Sequence, residues 1–243
     1  MNQKRKFLDH YFRMYEMSEL DGSRYMLKDE QNEVKRHLIL ANIPANYYNY
    51  TFKSVLETWS NDIANDEAIE NFTLYYNNIE KAARNGTGLF ITGMYGLAKT
   101  TAAIVVLKKA IELKYTAYFI SMNDLVDFVT SGWKDFNLKL KYQYIVTNVD
   151  FLVVDDIDRN YHTQNNNQST QFLDKLFVTR SNQKKTTILT SKYGIDSESD
   201  TINESLLTLF KSNLIELKVV GKDIREKKSK ELVQQLKIGK KGK

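Results

Sequence analysis

Cysteine is absent from this chain of 243 residues, which excludes disulfides and thiolate-held zinc. Histidine is scarce: His10, His37 and His162 lie far apart and show no metal-ligand spacing. Proline occurs once, at Pro44, so only one point of the chain carries that kind of break. No apolar run is long enough to span a membrane, and Met1-Asn2-Gln3-Lys4-Arg5-Lys6 opens the chain without an apolar signal core. The cytoplasm is therefore the expected compartment, with no membrane partner. What is present is 42% hydrophobic and 27% charged residues, enough for a packed core under a soluble surface. The length suits one large domain, or a main domain with a small appendage.

Charge is unevenly placed. Lys218 to Lys243 holds ten Lys or Arg against three Asp or Glu, so with a whole-chain charge of +5 the remainder is slightly acidic. Such a tail either meets a polyanion, nucleic acid foremost, or is a solvated terminus. At the other end, Phe7, Tyr11, Met14 and Tyr15 recur at helical spacing, and a second helix is predicted from about Asp29 to Leu40 with Val34, Leu38 and Ile39 on one side. These faces either pack on the main domain or form an arm that docks a partner protein.

Pro44 marks a junction. Thr51 to Arg84 reads as helical, with Trp59, Ile63, Phe72, Tyr76 and Ile79 as candidate buried positions, and Asn85-Gly86-Thr87-Gly88 is a turn cluster. Strands are predicted at 89–92, 116–120, 151–154, 186–191 and 214–220, separated by apolar helices. Ser121 and Asp124 mark one helix start. Leu138 to Val149 reads both ways, alternating like a strand at first and helical afterwards. Asn160 to Thr170 reads as a polar loop, and Asp223 to Leu236 as a charged last helix. The alternation predicts a three-layer α/β domain from about Asn85 onward.

Two stretches carry chemistry. Gly93-Met94-Tyr95-Gly96-Leu97-Ala98-Lys99-Thr100-Thr101 is nearly the phosphate-binding pattern G-x-x-x-x-G-K-[ST], with Ala98 where the last glycine belongs. Glycines let successive N–H groups turn inward toward phosphate oxygens, and the following helix adds its unpaired donors and positive dipole end. Lys99 would reach the β/γ-phosphates and the Thr100 hydroxyl would ligate Mg²⁺. The second stretch is Phe151-Leu152-Val153-Val154-Asp155-Asp156, a buried strand that delivers two carboxylates at its C-terminal end. There Asp155 would hold the metal and Asp156 would polarise the attacking water.

From about Ile43 to Arg225 the order of features resembles the DnaC/DnaI-type helicase loaders, AAA+ ATPases akin to the IstB transposition ATPases. The resemblance rests on Ile43-Pro44 with Tyr47 and Phe52, the loop ending Lys99-Thr100, and Phe119-Ile120 with Asp124-Leu125. It also rests on Val153-Val154-Asp155-Asp156-Ile157, Thr187-Ile188-Leu189-Thr190-Ser191 and Gly221-Lys222-Asp223-Ile224-Arg225. It implies an AAA+ P-loop α/β domain with a parallel sheet at 46–220, a helical partner-docking region at 1–45, and a sensor helix with basic tail at 221–243. ATP or ADP with Mg²⁺ is the implied cofactor. Gly93, Gly96, Ala98, Lys99, Thr100, Thr101, Ser191 and Arg225 would bind the nucleotide, Thr100 and Asp155 the metal, and Lys99, Asp156 and Arg225 would serve the chemistry.

The implied partners are a hexameric replicative helicase, single-stranded DNA and further copies of the chain in the ATP state. Two other readings stay open: an IstB/TnsC-like transposition ATPase assembling on DNA, and a non-hydrolysing AAA+ adaptor. Four positions depart from the family pattern. Ala98 replaces a glycine, at a cost of about 1–2 kcal/mol if the position needs left-handed angles, or about ten- to thirtyfold in affinity. Asp156 replaces the usual Glu, and Lys192 follows Thr190-Ser191 where a sensor Asn is common. No arginine occurs in Lys211-Ser212-Asn213, where a finger worth about 10³–10⁵ in rate is expected. Impaired or slow hydrolysis is the expectation.

Overall fold

A computed structural model describes residues 30–132, 135–158, 166–194 and 204–223. Within them five strands form one parallel sheet: β1 Gly88–Thr92, β2 Ala117–Ser121, β3 Phe151–Asp155, β4 Thr186–Ser191 and β5 Leu214–Lys218. Their order is β2-β3-β4-β1-β5, and every neighbouring pair runs parallel. The helices are α1 Glu30–Leu40, α2 Phe52–Trp59, α3 Asp66–Asn77, α4 Ile79–Asn85, α5 Lys99–Glu112, α6 Met122–Gly132, α7 Phe136–Thr147, α8 Asn166–Asn182 and α9 Glu204–Asn213.

The central strands β1, β3 and β4 are buried along their whole length because both faces are covered, whereas the edge strand β5, Leu-Ile-Glu-Leu-Lys, carries Glu216 and Lys218. Alternate residues feed different layers. Leu89, Ile91, Val153 and Ile188 join Leu38, Ile43, Val55, Trp59, Phe72 and the apolar side of α5. Phe90, Leu152, Val154 and Leu189 join Leu125, Ile145, Leu173, Phe177, Leu206 and Phe210 on the other face. The expected three-layer α/β arrangement is present, and the helices from α1 to α4 belong to its first layer.

Several local expectations change. Residues 138–147 are helical throughout, because Asp135 caps α7 through the N–H groups of Asn137 and Leu138. Ile63 is 83% exposed, while Trp59, Phe72 and Ile79 are buried and Tyr76 is half-buried. Among the described side chains of α1, from Val34 on, only Leu38 is buried; Val34 and Ile39 are exposed. The predicted loop at 160–170 already includes the start of α8 at Asn166. The expected helices near Phe7–Tyr15 and Asp223–Leu236 lie outside the described residues.

Two devices close the sheet. Asn42, left-handed at φ 56, ends α1, and Ile43 N–H donates to the Leu38 carbonyl. Phe119 N–H on the edge strand β2 then donates to the Ala41 carbonyl, and Asn42 Nδ2 donates to the Phe119 carbonyl. At the N-terminal edge of the sheet the fully buried Arg180 donates to the carbonyls of Ile145, Val146, Val149, Asp150 and Thr186 and to Thr187 Oγ1. Burial pulls its pKa down to about 9, partly offset by Asp150, so it stays charged at neutral pH. Arg180→Ala is expected to cost about 3–5 kcal/mol in urea unfolding, because it strands that set of buried acceptors. Arg180→Lys should recover less than half of the loss, since one ammonium has only three donors; full recovery would show that charge alone matters.

Candidate functional site

The C-terminal ends of β1, β3 and β4 meet beside the loop from Gly93 to Ala98. Thr92 at the end of β1 pairs with Ser191 at the end of β4, and β3 ends one strand further on at Asp155. The loop turns through backbone angles that most residues avoid: φ is 141 at Gly93, 76 at Gly96 and 58 at Ala98. Ala98 is therefore in the left-handed region, with ψ 23, directly before α5 begins at Lys99. Its Cβ carries the strain foreseen for that position, about 1–2 kcal/mol.

External contacts hold this geometry. Trp59 Nε1 donates to the Leu97 carbonyl at 2.9 Å from a fully buried ring. Val219 N–H donates to the Thr92 carbonyl at 2.8 Å, and a Cβ on Gly93 would collide with the Val219 carbonyl. Lys99, only 6% exposed, donates from Nζ to the carbonyls of Gly93 at 2.6 Å and Met94 at 2.8 Å. Thr101 is buried on the same first turn of α5.

Thr100 Oγ1 donates to Asp155 Oδ1 at 2.9 Å, across 55 residues of sequence. The same oxygen accepts from Thr190 Oγ1 at 2.6 Å, and Thr190 Oγ1 accepts from Asp156 N–H at 2.8 Å. Thr190 thus orients both acids, with Asp156 itself in a left-handed conformation at φ 54. Burial raises the Asp155 pKa; the two hydroxyl bonds and Lys99 pull against it, and the Asp156 charge adds to it. The Tyr47 phenol is also raised, first by burial and then by the Asp155 charge, which puts it at the fringe of the site.

One hydroxyl and one carboxylate at this spacing are hard-oxygen donors of the kind Mg²⁺ takes. Phosphate and water would have to fill the rest of its shell. Among the described residues no cluster of three His, Cys, Asp or Glu side chains could hold a metal alone.

The structure brings together Gly93, Gly96, Ala98, Lys99, Thr100, Thr101, Asp155 and Asp156. Ser191 lies at the same edge, but its hydroxyl turns to Asp158 Oδ1 and the Tyr193 carbonyl, and Asp158 also accepts from Lys192 N–H. Arg225 lies outside the described residues. Lys211 lies in the last turn of α9, just before β5 starts, and so sits at the sheet edge opposite the loop. The sequence assigns no site role to Trp59, expected only as a core residue, to Thr190, quoted only within a motif, or to Asp158. Their signals are positional: an aromatic at the end of α2, a hydroxyl one residue before a strand end, and a third acid after Asp155-Asp156.

Because burial raises the Asp155 pKa on folding, the native state binds that proton more tightly than the unfolded chain does. The ionised carboxylate therefore costs stability above the folded pKa. Asp155→Asn is expected to raise the melting temperature at pH 7, with the gain narrowing as pH falls and wild-type Asp155 takes up its proton. A lower melting temperature would mean that the hydrogen bonds from Thr100 and Thr190 outweigh the burial.

Comparison with known proteins places this geometry in context. The sequence profile of the IstB-like ATP binding proteins matches residues 76–215, more than half of the chain. No curated protein sequence matches. Among solved structures, the DnaC helicase loader superposes with a TM-score of 0.60 at 19% identity, over 73% of this chain and 100% of that one. AMPPCP-bound DnaA from Aquifex aeolicus gives 0.58 at 19% identity, over 77% of this chain and 56% of that one. DnaI gives 0.55 at 15% identity, over 74% of this chain and 93% of that one. At these identities the likeness is one of fold, and the fold is the AAA+ P-loop α/β domain.

Proposed function

Because the chain belongs to the IstB-like ATP binding protein family, we propose that it is an ATP-binding helicase loader or loader-like protein of DNA replication. The observation that carries the nucleotide part is the Thr100 Oγ1 to Asp155 Oδ1 bond at 2.9 Å, beside a loop whose lysine is buried against it. The backbone N–H groups of the loop cradle phosphate, and Lys99 exchanges its two carbonyl partners for β- and γ-phosphate oxygens. Thr100 and Asp155 would hold Mg²⁺, which would neutralise phosphate charge. Asp156, held by Thr190, would orient the attacking water, and the family resemblance assigns Arg225 to the terminal phosphate.

The helicase part is supported by the order of motifs and by a fold shared with the DnaC helicase loader and DnaI. On this reading residues 1–45 dock a hexameric helicase and the basic tail from 221 meets single-stranded DNA. Copies of the chain assemble in the ATP state. The strained Ala98, the shortened Asp156 and the absence of arginine at Lys211-Ser212-Asn213 favour slow hydrolysis. The same three features support a second reading, an adaptor that binds its partner whatever the nucleotide.

Calorimetric titration of ATP and ADP with Mg²⁺ tests the first part. Wild type is expected to bind and Lys99→Ala to lose binding, while Ala98→Gly, whose left-handed strain is already present in the unliganded loop, is expected to gain up to about 1 kcal/mol in urea unfolding with affinity nearly unchanged. No binding to wild type would remove ATP from the mechanism. Co-purification with a hexameric replicative helicase tests the second part: capture that requires ATP and intact Lys99 fits the loader, and capture unchanged in Lys99→Ala fits the adaptor.

A further inference from the structure

We propose that the end of the molecule opposite the phosphate loop is a nucleic-acid contact, where a strip of cations meets the phosphates of a DNA strand. In a parallel sheet every strand starts at the same end, so the segments entering β1, β2 and β4 lie together there. Lys81 and Arg84 stand before β1, Lys109 and Lys114 before β2, and Lys184 and Lys185 before β4. A cleft of about 220 Å³ joins the first two segments. It is lined by Lys81 and Arg84 of α4, by Lys109 from the last turn of α5, and by Asn77, Asn78 and Glu80. Leu113 also lines it, which sets Lys114 at its rim. A Cβ on Gly86, two residues past Arg84, would collide with the Lys184 backbone, so the third segment abuts the end of α4.

Two of these six cations are paired, Lys109 with Glu112 at 3.2 Å and Lys185 with Asp150 at 2.5 Å. Lys81, Arg84, Lys114 and Lys184 are exposed, and among the described residues no carboxylate pairs with any of them. Glu80 is the one acid of the cleft lining. Lys114 and Lys184 both hold left-handed backbone, at φ 67 and 52, where glycine or asparagine costs less. The turns therefore do not account for lysine at either place; a shared use of the charge does. Lysine, arginine and side-chain amides are the donors that meet phosphate oxygens, and they hold a strand without reading its bases. From the entry of β2 to that of β4 the strip crosses two strand spacings, about 10 Å, wider than a single phosphate. This contact is independent of nucleotide binding at the far end of the sheet.

The test is fluorescence anisotropy of a labelled oligothymidine strand titrated with the full chain across a salt series. Wild type is compared with Lys81→Gln/Arg84→Gln and with Lys114→Asn/Lys184→Asn, in which asparagine suits the left-handed turns. Lys35→Gln/Lys175→Gln removes the same charge from α1 and α8 as a control. All six side chains are exposed, so the melting temperature is expected to stay that of wild type. Each strip pair is expected to weaken binding about tenfold at low salt. Each should also lower the slope of log affinity against log salt by about one for every cation that meets a phosphate, with the control pair leaving both nearly unchanged. Equal weakening by the control pair overturns the proposal, since net charge then suffices. Unchanged affinity and slope in either strip pair also overturn it, and leave DNA to the basic tail. Wild type that does not bind the strand overturns it as well, whatever the ATP titration shows.

Discussion

A loop that aims its N–H groups inward cannot satisfy or hold itself, and the rest of this site depends on that constraint. Three separate parts of the chain supply the support. Trp59 holds the Leu97 carbonyl from the helical lead-in, Val219 closes on Thr92 from beyond the last strand, and Lys99 draws in the carbonyls of Gly93 and Met94. Only the last of these contacts involves the part that would meet phosphate. The other two keep the curl of the loop independent of what binds it, as preorganisation requires. They also make Ala98 tolerable, because strain of about 1–2 kcal/mol persists only where surrounding contacts over-determine the backbone.

The acidic side of the site follows a different economy. Asp155 is buried at 9% exposure and receives two hydroxyl hydrogen bonds on one oxygen, an arrangement that steadies the carboxylate without neutralising it. Thr190 does this for Asp155 while accepting the N–H of the left-handed Asp156. The strand end is therefore one connected unit from β4 to β3 to α5. Asp158 repeats the pattern one step outward, where it accepts from Ser191 and Lys192 and its own pKa is raised by burial.

Much of the fold was legible because the strands are short apolar runs that stop at Gly, Asp or Ser, and because buried parallel strands need no alternation. The phosphate loop and the Asp155-Asp156 strand end were legible for the same local reason. Residues 138–147 were not, since Leu138, Leu140, Tyr142 and Tyr144 are spaced by two and only the cap at Asp135 tips them into a helix. Ile63 looked like core because it is apolar at helical spacing, yet it falls in a single 3₁₀ turn between two helices and faces solvent. The contacts that complete the site span long distances in sequence, 38 residues from Trp59 to Leu97 and 155 from Asn65 to Val220. No periodicity or motif reports such pairs.

The seam between α1 and β2 has a meaning of its own. An outermost strand normally offers free N–H and C=O groups to any other extended chain. Here the Phe119 amide and carbonyl are both occupied, by Ala41 and by the Asn42 side chain. Release of this segment ahead of Pro44 would bare the Phe119 amide and carbonyl to pairing with another extended chain. Ala41 and Asn42 thus close one rung of the outermost strand to any further strand.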